Sequence, residues 1–238
     1  MTHAPIHHRN QLLAALPADV LRRLEPHLEP FELRARQVLY EPGDRVRHAV
    51  FPENGMVSVV NVMQDGRSIE VGTIGNEGVS GVPALWGIDF VPYRCVVQIA
   101  GSALRIKCAD LLQAAGPRTQ MPQLLLRYYV AFTTQIMQSA ACVGLHSVEQ
   151  RCCRWLLATH DRVDSDQFVL SHEFLALMLG TRRTSVSLVM KKLQDHKLIR
   201  YHRGTIGIID RHGLEMRCCD CYRIVAETFR RIMGSVKG

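Results

Sequence analysis

Residues 168–210 read FVLSHEFLALMLGTRRTSVSLVMKKLQDHKLIRYHRGTIGIID and decide the fold of the C-terminal part of the chain. Ser171 can cap a short helix that a glycine ends, and Thr181 can cap a second helix that runs to about Asp195. Two short helices joined by a turn with glycine are typical of a helix-turn-helix. Residues 198–209 follow as two strands around an Arg-Gly turn. The stretch therefore predicts a winged helix-turn-helix.

The second helix of this pair has one apolar and one polar side. Val186, Val189, Met190 and Leu193 repeat at helical spacing and would pack inward. The polar residues of its N-terminal half would then be exposed, in the part that meets base edges in such motifs. Arginine can bond guanine, serine and threonine can bond phosphates, and lysine releases counterions. We predict the following DNA-contacting residues: Ser171, Arg182, Arg183, Thr184, Ser185, Ser187, Leu188, Lys191 and Arg203.

The excess positive charge of the chain lies in the same region. Residues 171–238 contain 13 Lys and Arg against 6 Asp and Glu, whereas the first 170 residues contain 16 of each kind. A basic domain attached to a neutral one indicates a polyanionic partner. Together with the helix pair, this charge distribution favours double-stranded DNA.

The N-terminal half has a different pattern. Two short helices are predicted at residues 10–16 and 17–28, and a β-rich stretch follows from about Gln37 to Lys107. Its short β-branched segments are separated by turn sequences, such as EPGD at residues 41–44 and GNEG at residues 75–78. Short strands at this spacing predict a small antiparallel barrel or roll.

A long helix is predicted between the two halves, from Pro122 to Leu145. Two sets of apolar residues fall on different sides of it: Leu125, Tyr129, Phe132, Ile136 and Val143 on one, and Leu124, Tyr128 and Ala131 on the other. One domain can cover one side, so the other is expected to meet the same helix of a second subunit. A helix buried within its own domain is the alternative. Residues 147–150 (SVEQ) form a capping-box pattern that starts a new helix.

These patterns predict an α+β chain. An antiparallel, jelly-roll-like β-roll sensor would occupy residues 1–121, a dimerisation helix residues 122–146, and a winged helix-turn-helix domain residues 147–238. The uncharged stretch at residues 128–148 is too polar for a membrane span, and the N-terminus lacks the apolar core of a signal peptide. We expect a cytoplasmic protein without membrane contact.

The order of these parts resembles the Crp/Fnr family of transcription regulators. The residues that carry the resemblance are Glu41-Pro42-Gly43-Asp44, Val50-Phe51-Pro52 with Gly55, Gly66, Gly75 with Glu77-Gly78, and Leu179-Gly180 with Arg182-Arg183 and Val186. The resemblance implies a cyclic-nucleotide-binding-like roll and a homodimer on a two-fold symmetric DNA site. It also implies that Arg183 reads a guanine and that Ser171 contacts a phosphate. RNA polymerase is left open as a further partner.

The region where this family binds cyclic AMP departs from the family pattern. Val91-Pro92 stands nearest the place of the Arg-Ser pair that holds the cyclic phosphate, although Glu77 remains where the ribose-binding acid would be. A single contact cannot hold a charged nucleotide, because its phosphate would lose water without gaining donors. We therefore expect that cyclic AMP binding has been lost. The candidate effector-pocket residues are Glu77, Tyr93, Arg94, Ile136 and Met137.

The eight cysteines give no metal motif by their spacing. None precedes Cys95, so the N-terminal cysteine cluster of an iron–sulfur regulator is not present, and the CCxC at residues 218–221 lacks the usual two-residue gap of zinc ligands. We expect no metal site and no bound cofactor. A haem, or a thiol switch through Cys95, Cys108 or the tail cysteines Cys218, Cys219 and Cys221, is left open.

No catalytic residues are predicted, because the sequence has no phosphate loop, nucleophile elbow or zinc-hydrolase motif. The alternative to a DNA-binding regulator is a non-catalytic ligand-binding or redox- or haem-sensing protein. In that case the basic C-terminal domain would be a protein-interaction module. The wing favours the regulator, because an incidental basic face would not need an Arg-Gly hairpin tip after a capped helix pair.

Overall fold

The computed structural model describes residues 8–116 and 119–234. The chain begins with two short helices, α1 (Gln11–Ala14) and α2 (Ala18–Leu24). Asn10 is fully buried and caps α1 by accepting hydrogen bonds from two backbone N–H groups, while its amide donates to two backbone carbonyls of the following domain. This cap fixes the N-terminal helices to the β-structure.

Five antiparallel strands form the first sheet: β1 (Glu29–Leu33), β2 (Val38–Tyr40), β3 (His48–Val62), β4 (Ser68–Ile74) and β5 (Arg94–Lys107). Their order is β1-β5-β3-β4, and β2 also pairs with β5. The register between β3 and β5 shifts at several bulges, which bend both long strands. The sheet thereby closes around an apolar core, as the predicted roll requires.

One glycine of the sequence pattern is required by the bend in β3. Gly55 has φ +96°, and a Cβ at this position would lie 2.7 Å from the carbonyl oxygen of Ile99 on β5. Any other residue would therefore have both an unfavourable backbone conformation and a clash with the neighbouring strand.

The first strand was not predicted from the sequence. The helix expected to reach Leu28 ends at Leu24, and a 3-10 turn that contains Pro26 follows before β1 begins at Glu29. Proline has no backbone N–H and ends a regular helix. Because Pro30 also lies in β1, the strand is tolerated only at the edge of the sheet, which is its observed place.

After β5, the helix α3 (Cys108–Ala115) is followed by the long helix α4 (Met121–Leu145). One side of α4 packs on the roll, where Leu124, Leu125 and Tyr128 are buried. The other side is exposed and apolar, and its large side chains are Leu126, Tyr129, Val130, Met137, Val143 and Leu145. None of the helices in the described ranges is both long and apolar enough to cross a membrane.

The helix α5 (Val148–His160) begins with the predicted capping box at Ser147, and the winged helix-turn-helix follows it. Its elements are β6 (Gln167–Val169), α6 (His172–Met178), α7 (Arg183–Asp195), β7 (Ile199–His202) and β8 (Thr205–Ile208). The three strands form an antiparallel sheet in the order β6-β8-β7. The predicted helix pair and hairpin are confirmed.

The start of α7 differs from the prediction. Thr181 does not cap this helix, because Arg182 is the N-cap residue and its side chain makes no capping hydrogen bond. Gly180 has φ +58°, and the N–H of Thr181 donates to the carbonyl of Ala176. Thr181 therefore belongs to the glycine-containing C-terminal motif of α6.

Two further helices, which the sequence patterns did not reveal, end the described chain. They are α8 (Arg211–Arg217) and α9 (Cys221–Gly234). Although α9 follows the winged domain in sequence, it packs along α4 and reaches the core of the roll, where Phe229 contacts the ring of Tyr128. The C-terminal segment is thus shared between the two halves of the molecule.

The winged domain also packs directly on the roll. The indole of Trp155 on α5 donates a hydrogen bond of 3.0 Å to the carboxylate of Glu70 on β4. Met178 on α6 lies in a small apolar cluster with Val60 and Val96 of the sheet. The two halves are therefore joined by a polar contact and by an apolar one.

Candidate nucleic-acid interface

The helix α7 has one buried side and one side open to solvent. Val186, Met190 and Leu193 are fully buried in the core of the winged domain, as their spacing predicts. Leu188 is 71% exposed, on the opposite side of the helix. Arg182, Arg183 and Thr184 are exposed at its N-terminal end, and Ser185 and Ser187 are half-buried.

The basic residues of this surface differ in whether a carboxylate neutralises them. Within the described ranges, Arg183, Lys191 and Arg203 have no acidic partner within 4.0 Å. Lys192, by contrast, contacts Glu149 on α5 at 2.6 Å, and Arg217 contacts the same carboxylate at 3.2 Å. Lys192 therefore lies on the side of α7 that faces its own domain, whereas the other three cations are available to an external anion.

The wing and the two helices are joined through His172 at the start of α6. Its Nδ1 lies 3.0 Å from the hydroxyl of Ser187 on α7, and its ring stacks on Tyr201 of β7 with 4.2 Å between centroids. Burial lowers the pKa of His172, and the charge of Arg183 lowers it further. A neutral imidazole thus holds Ser187 in place, a role that the sequence patterns did not indicate.

The wing tip lies next to the predicted phosphate contact. Arg203 and Gly204 both have positive φ, at 46° and 83°, in the tight turn between β7 and β8. The carbonyl of Gly204 accepts a hydrogen bond of 2.8 Å from the N–H of Leu170. Ser171, which caps α6 as predicted, follows immediately. The structure therefore brings Ser171 and Arg203 together at one edge of the surface that contains α7.

A cavity of about 480 Å³ lies between the roll, α4, the end of α5 and α9. The polar residues that line it include Thr73, Asn76, Glu77, Gln135, Arg154, Asp161 and Arg162, and α9 contributes Tyr222, Val225, Ala226, Phe229, Arg230 and Met233. Gln135 is buried and accepts a hydrogen bond of 2.7 Å from the N–H of Thr73. Neither Gln135 nor any residue of α9 was predicted from the sequence to line a pocket.

The charged groups of this cavity are already engaged with each other. Both carboxylate oxygens of Glu77 accept from Nε of Arg162 at 3.1 Å, and a terminal nitrogen of Arg162 donates to Glu77 at 2.7 Å. The two side chains are 13% and 10% exposed. A further nitrogen of Arg162 donates to the carbonyl of Ala158 at 2.7 Å. The acid that the family resemblance assigned to ribose, Glu77, is thus already paired with Arg162.

Of the five candidate effector-pocket residues, only Glu77 lines this cavity. Arg94 contacts Glu41 at 2.9 Å, and Tyr93 and Ile136 pack against the apolar core of the roll. Met137 is 66% exposed, on the outer side of α4. The five residues therefore do not line one pocket, contrary to the prediction. The positions of side chains around α4 depend on how the helix is rotated against the roll, which the sequence does not specify.

The cysteines of the roll have the properties of buried thiols. Burial raises the pKa of Cys95 to about 12 and that of Cys108 to about 11. A protonated thiol is a poor nucleophile, so these two positions do not favour the thiol switch that the sequence left open.

Four potential metal ligands come together at the C-terminal end of α4. They are Cys142, His146, Cys219 and Cys221, and their ligand atoms all lie within 4.8 Å of one another. Cys142 lies in the last turn of α4 and His146 directly follows the helix, while Cys219 precedes α9 and Cys221 is its first residue. No metal site was predicted, because the spacings within single cysteine motifs do not match zinc ligands. The signal for this cluster was the four-residue step from Cys142 to His146 at the end of α4.

Two family models match the sequence. The cyclic nucleotide-binding domain matches residues 30–116, and the Crp-like helix-turn-helix domain matches residues 150–217. Comparison with curated protein sequences gave no match.

Several solved structures are similar to this chain. FixK2 from Bradyrhizobium japonicum is 18% identical with a TM-score of 0.66, and the alignment covers 81% of this chain and 98% of FixK2. A CRP-family transcriptional regulator from Thermus thermophilus is 22% identical with a TM-score of 0.64, covering 79% and 95% of the two chains. The c-di-GMP-responsive regulator CLP of Xanthomonas campestris is 21% identical with a TM-score of 0.60, covering 81% and 99%. At these identities the likeness shows the fold.

Proposed function

Because the chain belongs to the Crp/Fnr family of transcription regulators, with a cyclic nucleotide-binding domain followed by a Crp-like helix-turn-helix, we propose that it binds a palindromic DNA operator as a homodimer. The observation that carries this proposal is the exposed N-terminal half of α7, whose cations have no acidic partner among the described residues. Such a surface neutralises phosphates and releases their counterions. Since its proposed partner is chromosomal DNA, we expect the protein in the cytoplasm. RNA polymerase is a proposed further partner there.

Base reading is assigned to the start of α7. Arg183 can donate two hydrogen bonds to guanine O6 and N7, and the exposed Leu188 can contact a thymine methyl group. Ser171, Lys191 and Arg203 are placed to contact the phosphates on either side. The recognition helix would thus enter the major groove with its N-terminal residues first.

The homodimer is proposed to form through the exposed side of α4. Leu126, Val130 and Met137 follow one another at steps of four and seven residues, as a and d positions of a two-stranded coiled coil do. Next to this stripe, Trp86 of the roll is 44% exposed and contacts Tyr129 edge to face at 5.4 Å. A second copy of the chain would remove this apolar surface from water and place two α7 helices about 34–36 Å apart, one turn of DNA.

We further propose that cyclic AMP does not bind in the family manner. Glu77 is held by Arg162, and α9 covers the cavity with apolar side chains, among them Phe229 and Met233. A cyclic nucleotide would have to break the buried ion pair to reach Glu77. Breaking such a pair without replacing both partners costs several kcal/mol.

Selection from a random duplex library, with and without cyclic AMP at about 150 mM salt, tests this function. We expect a palindromic motif with half-sites about 10–10.5 bp apart, enriched equally in both conditions. A motif that appears only with cyclic AMP would disprove the proposed loss of nucleotide binding. The absence of any motif would disprove the proposed operator, and the Arg183→Ala variant serves as the control for specific reading.

A further inference from the structure

The end of α4 and the start of α9 meet at the cluster of Cys142, His146, Cys219 and Cys221. Cys142 and His146 lie one helical turn apart, and Cys221 is the first residue of α9. The three thiols are at most 5% exposed, and His146 is 22% exposed. The cluster therefore brings together three sulfurs and an imidazole from parts of the chain that are about 75 residues apart.

The distances within the cluster are close to those of a tetrahedral zinc site. The sulfurs of Cys142 and Cys219 are 3.5 Å apart, and the sulfur of Cys221 is 3.4 Å from Nδ1 of His146. With Zn–S about 2.3 Å and Zn–N about 2.0–2.1 Å, tetrahedral ligands are separated by about 3.8 Å (S to S) and about 3.5 Å (S to N). Since all four atoms lie within 4.8 Å of one another, small side-chain movements complete the site.

The groups around the cluster support the same geometry. Nε2 of His146, the nitrogen that faces away from the sulfurs, lies 3.5 Å from the carboxylate of Asp220. A carboxylate in this position orients a zinc-bound imidazole and fixes which nitrogen carries the proton. The amide of Gln138 donates a hydrogen bond of 3.1 Å to the sulfur of Cys221, which would stabilise a thiolate.

The surroundings also contain a positive charge that needs a counterion. Arg151 is 6% exposed, its Nε has no hydrogen-bond partner among the described residues, and its side chain lies near Cys142 and Cys219. A buried cation without an anion is costly. A zinc ion with three thiolates and a neutral imidazole has a net charge of −1, which would compensate Arg151.

We propose that Cys142, His146, Cys219 and Cys221 bind one zinc ion. The three thiols lose their protons to solvent as three Zn–S bonds form, and Nδ1 of His146 supplies the fourth ligand while Nε2 keeps its proton toward Asp220. Three sulfurs and one imidazole are a ligand set that zinc prefers in closed structural sites. The ion fastens α9 to α4 and so holds in place the helix that covers the cavity beside Glu77.

The test uses the full-length protein purified without chelators. Elemental analysis is expected to find about one zinc per chain, and replacement by cobalt to give the absorption of tetrahedral thiolate-bound Co²⁺. Cys221→Ser and His146→Gln should lose most of the metal. Cys218→Ser is the matched control, because this half-exposed neighbour lies outside the ligand set, and it should keep the full zinc content.

A substitution could lose zinc because the variant misfolds, so the wild-type protein is also tested with and without its metal. Chelation followed by zinc alone should restore the metal, and trypsin should cleave α9 at Arg223 and Arg230 faster in the chelated form than in the zinc form. Absence of zinc and of the cobalt spectrum would overturn the proposal, as would a Cys142–Cys219 disulfide found by mass spectrometry of the freshly purified protein. Equal loss of zinc from Cys218→Ser would overturn the assignment of ligands.

Discussion

The exposed surface of α7 and the cavity beside Glu77 differ in how their charged groups are paired. On the α7 surface, Arg183 and Lys191 have no carboxylate partner within the described residues, so their charge is available to another molecule. In the cavity, Glu77 and Arg162 form three hydrogen bonds with each other and are almost excluded from water. The cations of the α7 surface can be neutralised by an external anion, whereas Arg162 in the cavity is already neutralised by Glu77.

The exposed cations of α7 have the properties of a binding surface, whereas the Glu77–Arg162 pair is a structural contact at a position where a ligand contact was predicted. A family resemblance identified Glu77 as a ligand contact from its position alone, but its partner is a residue of the same chain. Exposed cations gain by exchanging small counterions for phosphates, whereas a buried pair gains nothing from a ligand that can satisfy only one of its members.

The largest effect is expected from breaking the buried pair. Glu77→Ala leaves the guanidinium of Arg162 buried without its anion, which should lower the free energy of unfolding by about 3–5 kcal/mol. Urea denaturation measures this change. Asp89→Ala is the matched control, because it breaks a pair with Arg45 in which both side chains are more than half exposed, and it should cost at most about 1 kcal/mol. Equal losses in the two variants would mean that Glu77 is not structurally engaged.

A smaller effect is expected at the DNA surface. Arg183→Ala should weaken operator binding by about 1–3 kcal/mol and relax the preference at one base pair of each half-site. Lys191→Ala should weaken matched and mismatched duplexes alike and reduce the slope of log K against log salt by about 1. Fluorescence anisotropy titrations over a range of salt concentrations distinguish the two. Identical profiles would contradict the division into a base reader and a phosphate contact.

A third effect, which depends on pH, is expected at Glu70, where the winged domain packs on the roll. Burial raises the pKa of Glu70 to about 7, against the hydrogen bonds from Ser58 and Trp155 and the charges of Arg154 and Arg162, which lower it. Because this value lies above the usual 4.5, the folded protein holds a proton that the unfolded chain releases. The stabilisation is complete below about pH 4.5 and is lost as the pH rises through about 7.

Thermal unfolding followed at several pH values measures this contribution. The wild-type protein should lose about 2–3 kcal/mol of stability between about pH 5 and about pH 8 from this group, and Glu70→Gln should not show that loss. Glu173→Gln, at an exposed position on α6, is the control and should keep the wild-type slope. If Glu70→Gln also kept it, the pH dependence would have to come from another group.

The sequence by itself determined the local elements and their order. The capping box at Ser147, the glycine that ends α6, the apolar spacing of α7 and the Arg-Gly turn of the wing each depend on residues within a few positions of one another. The same patterns identified the exposed half of α7, since a helix with one buried stripe must turn its remaining residues outward. The edge strand β1 was missed because Pro30 obscures its local pattern.

The tertiary structure alone decided which distant residues meet. Glu77 pairs with Arg162, and Lys192 pairs with Glu149. Because α9 packs back along α4, Cys219 and Cys221 lie next to Cys142 and His146. No local propensity specifies such contacts, because they depend on the angle and rotation at which whole helices pack against the roll. The local sequence around a charged residue on a helix therefore does not show whether the residue will face DNA, a carboxylate of its own chain or a buried cavity. Only the packing of the helices decides between these cases.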